Sequence, residues 1–156
     1  MKEIIYLKGD ATVPKAEGHK VIAHICNDEG SWGAGFVMAL SKKWKEPERE
    51  YRAWIKSKEA KLGKIQLIKV EDEIVVANMI AQESFVSIIN PVAVRYNFLR
   101  KCLEELTEAV KGNDVSVHMP RIGCGIAGGK WEKIEPIIQD TLCEKDIQVY
   151  VYDFEI

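Results

Sequence analysis

The sequence has no close-spaced cysteine pair, no long apolar run, no excess of one charge and no metal-ligand spacing. Its four cysteines, Cys26, Cys102, Cys124 and Cys143, stand far apart, so neither a zinc site nor a disulfide framework is indicated. Cys102 and Cys143 fall inside amphipathic patterns and read as small core residues. No apolar stretch approaches the roughly 20 residues of a membrane helix, and residues 1–6 read as a strand rather than a signal peptide, so a cytoplasmic protein without membrane contact is expected. The 24 acidic and 22 basic side chains leave a formal charge of -2. No broad cationic surface therefore exists to bind a polyanion by counterion release, which argues against extended nucleic-acid binding but not against a small phosphate ligand. Repeats and low-complexity tracts are also missing. At 156 residues and 47% apolar composition, the chain suffices for one core, and a single domain over 1–156 is expected.

The patterns that are present alternate between strand and helix. Residues 3–8 and 20–26 read as strands, the second so uniformly apolar that both its faces must be covered. The intervening 9–15 stretch has turn residues and a proline, which places Asp10 at the end of the first strand. Phe36, Val37, Leu40 and Trp44 recur at helical spacing over 33–44, with lysines near the C-terminal end where they suit the helix dipole. A second helix opens at Pro47 and runs toward Gly63. Residues 64–70 and 74–80 form a hairpin around 71–73. The aperiodic 82–94 stretch predicts a mobile loop, and Leu99, Leu103, Leu106 and Val110 mark a long helix. A strand at 115–120, a helix from Trp131 and a last strand at 147–152 complete the order. That order predicts an α/β fold, a three-layer α/β/α sandwich with a mixed central sheet.

Two glycine-rich loops each join a strand to a helix. In the first, Asn27 to Gly35, Ser31, Trp32, Gly33, Ala34 and Gly35 let backbone approach a ligand, and the free amides at the following helix start suit anionic oxygens. The second places Gly123, Cys124, Gly125, Ile126, Ala127, Gly128 and Gly129 in the same position. In open α/β sheets both would face one cleft at the carboxyl ends of the strands. A Rossmann fingerprint is excluded because the third glycine is missing, and a Walker A loop because no Gly-Lys-Ser/Thr follows. His24, at the end of the second strand, is the first catalytic candidate, since imidazole works as base, acid or nucleophile near neutral pH. A core histidine satisfied by a carbonyl remains equally compatible. His19 and His118 have weaker claims. Asp10 is placed either to accept from an adenine amine or to cap a turn. Trp32 and Trp131 are candidates for stacking on a sugar or base and equally for packing.

Taken together, Gly9-Asp10, Ala23-His24-Ile25-Cys26-Asn27, Gly30-Ser31-Trp32-Gly33-Ala34-Gly35 and the run from Met119 to Gly129 resemble a macro domain. The resemblance is strongest to the branch containing ADP-ribose-1''-phosphate phosphatases and terminal ADP-ribose protein glycohydrolases. It implies that Asp10 contacts adenine and that the two loops, Cys124, Ile126, Ala127 and Gly128 among them, hold the diphosphate and distal ribose. Against the glycohydrolases, Gln82 and Ala127 stand where a lysine and an aspartate are expected. The phosphatase pattern keeps the histidine, so the resemblance implies that His24 acts on a terminal phosphate while Asn27 and loop amides hold the ribose and stabilise developing charge. The implied partner is ADP-ribose or ADP-ribose-1''-phosphate, free or as ADP-ribosylated macromolecules, with no metal and no cofactor. A purely binding module and a hydrolase removing ADP-ribose from a macromolecule remain the alternatives.

Overall fold

A strand as apolar as residues 21–25 needs cover on both faces, and the computed structural model, which describes residues 1–154, puts it inside a six-stranded sheet. The strands are β1 (Ile5–Lys8), β2 (His19–Asn27), β3 (Ile65–Glu71), β4 (Ile74–Gln82), β5 (Val115–Pro120) and β6 (Gln148–Asp153). The helices are α1 (Phe36–Lys43), α2 (Glu46–Lys56), α3 (Tyr96–Val110) and α4 (Trp131–Thr141). Strand order is β1-β6-β5-β2-β4-β3, parallel throughout except for the antiparallel β3 edge. This is the mixed three-layer sandwich that the order of elements predicts.

Period-two alternation assigns the layers. Val21, Ala23, Ala77 and Met79 face one way and pack with Leu99 and Leu103 of α3 and Ile134 and Ile138 of α4. Their neighbours Ile22, Val76 and Ile80 face the other way, onto Val37 and Leu40 of α1 and Tyr51 of α2. The chain therefore leaves β2 toward one face and the adjacent β5 toward the other, which opens a crevice between their carboxyl ends. Every loop with a candidate site residue sits at that end of the sheet.

Several boundaries differ from the sequence reading. Strand β1 begins at Ile5 rather than residue 3. Helix α1 begins at Phe36 rather than Gly33, because Gly35 has φ 83° and ψ -149°, outside helical space, and the preceding residues stay irregular. Helix α2 stops at Lys56, short of Gly63, and Lys58 just beyond takes a left-handed φ of 66°. Of the 82–94 stretch, expected to be a mobile loop, Gln82 closes β4 and the remaining 83–94 segment is extensively tied. Ser87 and Asn90 exchange backbone hydrogen bonds around an Ile88–Ile89 tip, and Asn90 donates its side-chain amide to the carbonyls of Glu83 and Phe85. Arg95 pairs with Glu83 and donates to Asn90. Among the described residues no helix is long and apolar enough to cross a membrane.

Candidate functional site

The crevice is a continuous cleft with three chambers. The widest, about 560 Å³, lies between the turn after β1 and the exposed flank of α1, with Asp10, Thr12, Phe36, Met38 and Tyr152 in its walls. A second chamber of about 220 Å³ shares Gly35, Phe36 and Pro120 with it and runs between the glycine loops over His24. A third, also about 220 Å³, shares Ala34, Gln82 and Ile126 with the second and ends at Ser31, Gly33 and Phe85. The loops meet across the cleft: a Cβ added to Gly35 would lie 3.5 Å from Ile126 Cδ1.

Main-chain nitrogen lines both sides. The amides of Gly33, Ala34, Gly35, Phe36 and Val37 find no acceptor among the described residues, nor do those of Gly125, Ile126 and Ala127. Unpartnered amides of this kind suit anionic oxygens. Gly33 and Gly125 have open space where a Cβ would stand, so the backbone itself is the cleft surface there.

The loops are held in place by side-chain hydrogen bonds and packing. Asn27 is the hub of the first: its Oδ1 accepts from the amides of Glu29 and Ser31 and from the Tyr51 hydroxyl, and its Nδ2 donates to the Ser31 carbonyl. Asn27 also lines the third chamber, so its amide shapes the loop from within the cleft wall. Trp32 is buried, donates Nε1 to Ser41 Oγ at 2.7 Å and packs against Tyr51 and His24, so it anchors the loop while lining the third chamber. Trp131 lies outside the cleft under the Arg121 guanidinium, 5.2 Å from the ring.

The second loop is braced against the 83–94 segment. The Ala127 carbonyl accepts from the amides of Ala93 and Val94. Gly128, with φ 74°, has the Pro91 carbonyl 2.6 Å from the place of a Cβ, so it serves this brace and does not line the cleft. Cys124 packs its half-buried side chain onto the α3/α4 core, again away from the ligand space. Gly123 combines φ 76° with Ile134 Cδ1 only 2.9 Å from where a methyl group would stand. Gly123→Ala should therefore destabilise the fold by about 2–4 kcal/mol, from left-handed strain plus overpacking, read as a lower urea midpoint at unchanged slope; an unshifted midpoint would show that the loop relaxes freely.

Asp10 caps the turn after β1. Oδ1 accepts from the amide and hydroxyl of Thr12 at 2.8 Å, fixing the turn, and Oδ2 has no partner among the described residues in the wall of the widest chamber. Lys43 ties the same turn to α1 through the Thr12 carbonyl at 2.9 Å. Gln82 and Ala127 both line the second chamber, whose one charged lining residue is Arg121. The third has none. Arg121 is itself bound to Asp153 at 2.6 and 3.1 Å.

His24 lies beneath the second chamber, 2% exposed, with the Trp32 and Phe36 rings against it. Burial lowers its pKa to about 4, with the hydrogen bond to Asn78 opposing the shift. It is neutral at physiological pH. His118, by contrast, is fixed on both nitrogens by Ser116 and Tyr152 inside the sheet and is structural. Among the described residues no group of three or more His, Cys, Asp or Glu side chains is arranged to hold a metal.

Sequence reasoning missed Phe36 as a cleft wall, Arg121 as the charged rim and Asn78 beside His24. The one available signal was Asn78 itself, a lone amide in the apolar run of β4.

No family model matches the chain. It is 33% identical to an ADP-ribose 1''-phosphate phosphatase of Lodderomyces elongisporus over 95% of its own length and 98% of that protein's. It is 32% identical to a chromodomain-helicase-DNA-binding protein 1-like of Mus musculus over 97% of this chain, which spans only 18% of that relative's length. Among solved structures, a macrodomain protein from Streptomyces coelicolor is 44% identical, with a TM-score of 0.86 and 97% and 99% of the two chains covered. A protein of unknown function from Bacteroides thetaiotaomicron is 54% identical at a TM-score of 0.93, with 97% and 98% covered. End-to-end similarity of this kind, joined to a cleft built from two opposed glycine loops, makes this chain a member of the macrodomain family.

Proposed function

We propose that the protein binds ADP-ribose-1''-phosphate and hydrolyses it to ADP-ribose and phosphate. The observation that carries this is the pair of opposed amide rows meeting over His24, in a cleft long enough to continue into an adenosine-sized chamber at one end. The free Oδ2 of Asp10 accepts from the exocyclic adenine amine, and Phe36 and Met38 supply apolar wall. The amides of Gly33 to Val37 and of Gly125 to Ala127 take the diphosphate. The distal ribose lies toward Gln82, Ser31 and Phe85. In the reaction, a water oxygen bonds to phosphorus as the bond from phosphorus to the ribose 1''-oxygen breaks. One water proton passes to His24 and returns to the leaving ribose oxygen, while loop amides stabilise the charge that gathers on the phosphoryl group. The phosphatase of Lodderomyces elongisporus, similar along its whole length, supports this assignment.

A non-catalytic ADP-ribose module is the second reading. It is favoured by the uncharged lining of the third chamber and by the depth of His24. A titration with ADP-ribose followed by a phosphate-release assay separates the two. ADP-ribose at about a hundred times its Kd is expected to stabilise the fold by about 2.7 kcal/mol and to raise the melting temperature by about 5–10 °C. Phosphate release then marks the enzyme, and its absence with binding intact marks the module. An unchanged melting temperature at millimolar ADP-ribose overturns both.

A further inference from the structure

The hydrogen bonds around His24 dictate which of its nitrogens is bare. Gln66 has its amide nitrogen 3.0 Å from the Glu50 carbonyl, an atom that only accepts, so the Gln66 oxygen is turned the other way. That oxygen lies 3.1 Å from Asn78 Nδ2, which also sits 3.1 Å from the Pro47 carbonyl. Two acceptors thus fix the Asn78 amide without reference to the histidine. Asn78 Oδ1 is left facing His24 Nε2 at 2.5 Å. An amide oxygen cannot donate, so Nε2 carries the proton and Nδ1 carries a lone pair. His24 Nδ1 is also the one buried side-chain nitrogen or oxygen among the described residues with no hydrogen-bond partner. Buried polar atoms without partners are rare in folded proteins and mark functional contacts or bound water.

We propose that Asn78, oriented by Gln66 and the Pro47 carbonyl, is a positioning residue that locks His24 as the Nε2–H tautomer, so that the Nδ1 lone pair meets a donor brought by the ligand: a distal ribose hydroxyl or the attacking water. This deepens the hydrolase assignment and rests on it for the identity of the ligand. It also narrows the role of His24. A resting histidine with no proton on Nδ1 starts as acceptor or base, never as the acid, and it does not donate to a phosphate oxygen. The titratable groups around it are the Cys26 thiol on its own strand and the Tyr51 phenol of α2, both pushed up by burial and neutral, and Arg121 from across the cleft. Of these only Cys26 Sγ comes near Nε2, at 3.9 Å, a far weaker acceptor than Asn78 Oδ1 at 2.5 Å.

Long-range proton–nitrogen correlation on the protein with labelled histidine reads the tautomer directly. The expected result is Nε2 protonated and Nδ1 unprotonated for His24 over roughly pH 5.5 to 8, where a buried imidazole stays neutral, with the Nδ1 resonance moving on addition of ADP-ribose. A proton on Nδ1 at neutral pH overturns the lock, whatever the enzyme does. Two variants test its use. Asn78→Asp keeps an acceptor at Nε2 but adds a charge that stabilises imidazolium, so the acid limb of the kcat profile should move up by roughly one to three pH units. Asn78→Ser frees the tautomer and should lower kcat at least about tenfold with KM little changed. A merely structural Asn78 would lower the melting temperature of both variants and leave the acid limb in place, which would also overturn the proposal. If the tautomer is as stated but wild-type protein releases no phosphate, the hydrolase assignment fails and the lock stands.

Discussion

His24→Ala should lower phosphate release from ADP-ribose-1''-phosphate by about 10²–10⁴-fold, the usual contribution of a positioned proton acceptor, while ADP-ribose affinity changes little. The two effects separate because binding and chemistry draw on different parts of the cleft. In the proposed binding mode most of the affinity comes from main-chain nitrogens on both loops and from Asp10, none of which bonds to the imidazole, and a single contact to Nδ1 is a small part of it. Removing the ring leaves a cavity under Trp32 and Phe36, so His24→Gln serves as the companion variant. It fills most of the space and keeps an amide donor for Asn78 but provides no base. Both variants should titrate with ADP-ribose and turn over slowly. Wild-type phosphate release from either would remove His24 from the chemistry.

Acid should destabilise this fold well above the pH at which carboxylates protonate. His24 and His118 are both buried, and burial lowers each pKa from 6.5 to about 4, with the charge of Lys20 adding to the shift at His118. Between those values the unfolded chain takes up protons that the folded chain refuses. Stability is therefore full above about pH 6.5, falls as pH drops through the window and levels off near pH 4, by roughly 3 kcal/mol for each histidine. Against a total of about 5–15 kcal/mol for a domain, this is a large share. Urea midpoints measured from pH 7.5 downward, a span chosen to bracket about pH 6.5, should show the slope, and His24→Gln should remove about half of it. A flat profile above pH 5 would mean that both rings are protonated in place.

Much of the scaffold was legible because burial writes directly into pattern. The unbroken apolar run at Val21 to Ala23 forces an interior strand, and the glycine clusters announce two places where backbone replaces side chain. Asp10 was equally readable, as a turn residue at a strand end with one oxygen to spare. The roles of Asn27 and Trp32 were not, because a polar or aromatic residue beside a glycine loop serves the ligand or the loop with the same local sequence. Only the reach of Tyr51 and Ser41, on α2 and α1, shows the loop-holding role. The Asn78 contact joins residues 54 positions apart, on strands whose pairing the sequence does not state. Likewise the brace between Ala127 and the 93–94 amides depends on how two loops close in space.

The opposite departures of the chain from β2 and β5 have one more outcome. The helical layers on the two faces are separated by the sheet, and a bound dinucleotide-like anion would be gripped by a loop feeding each of them. Occupancy then makes the two halves open together: amide exchange in α1 and in α4 should slow in step as ligand is added, although neither helix belongs to the other's core.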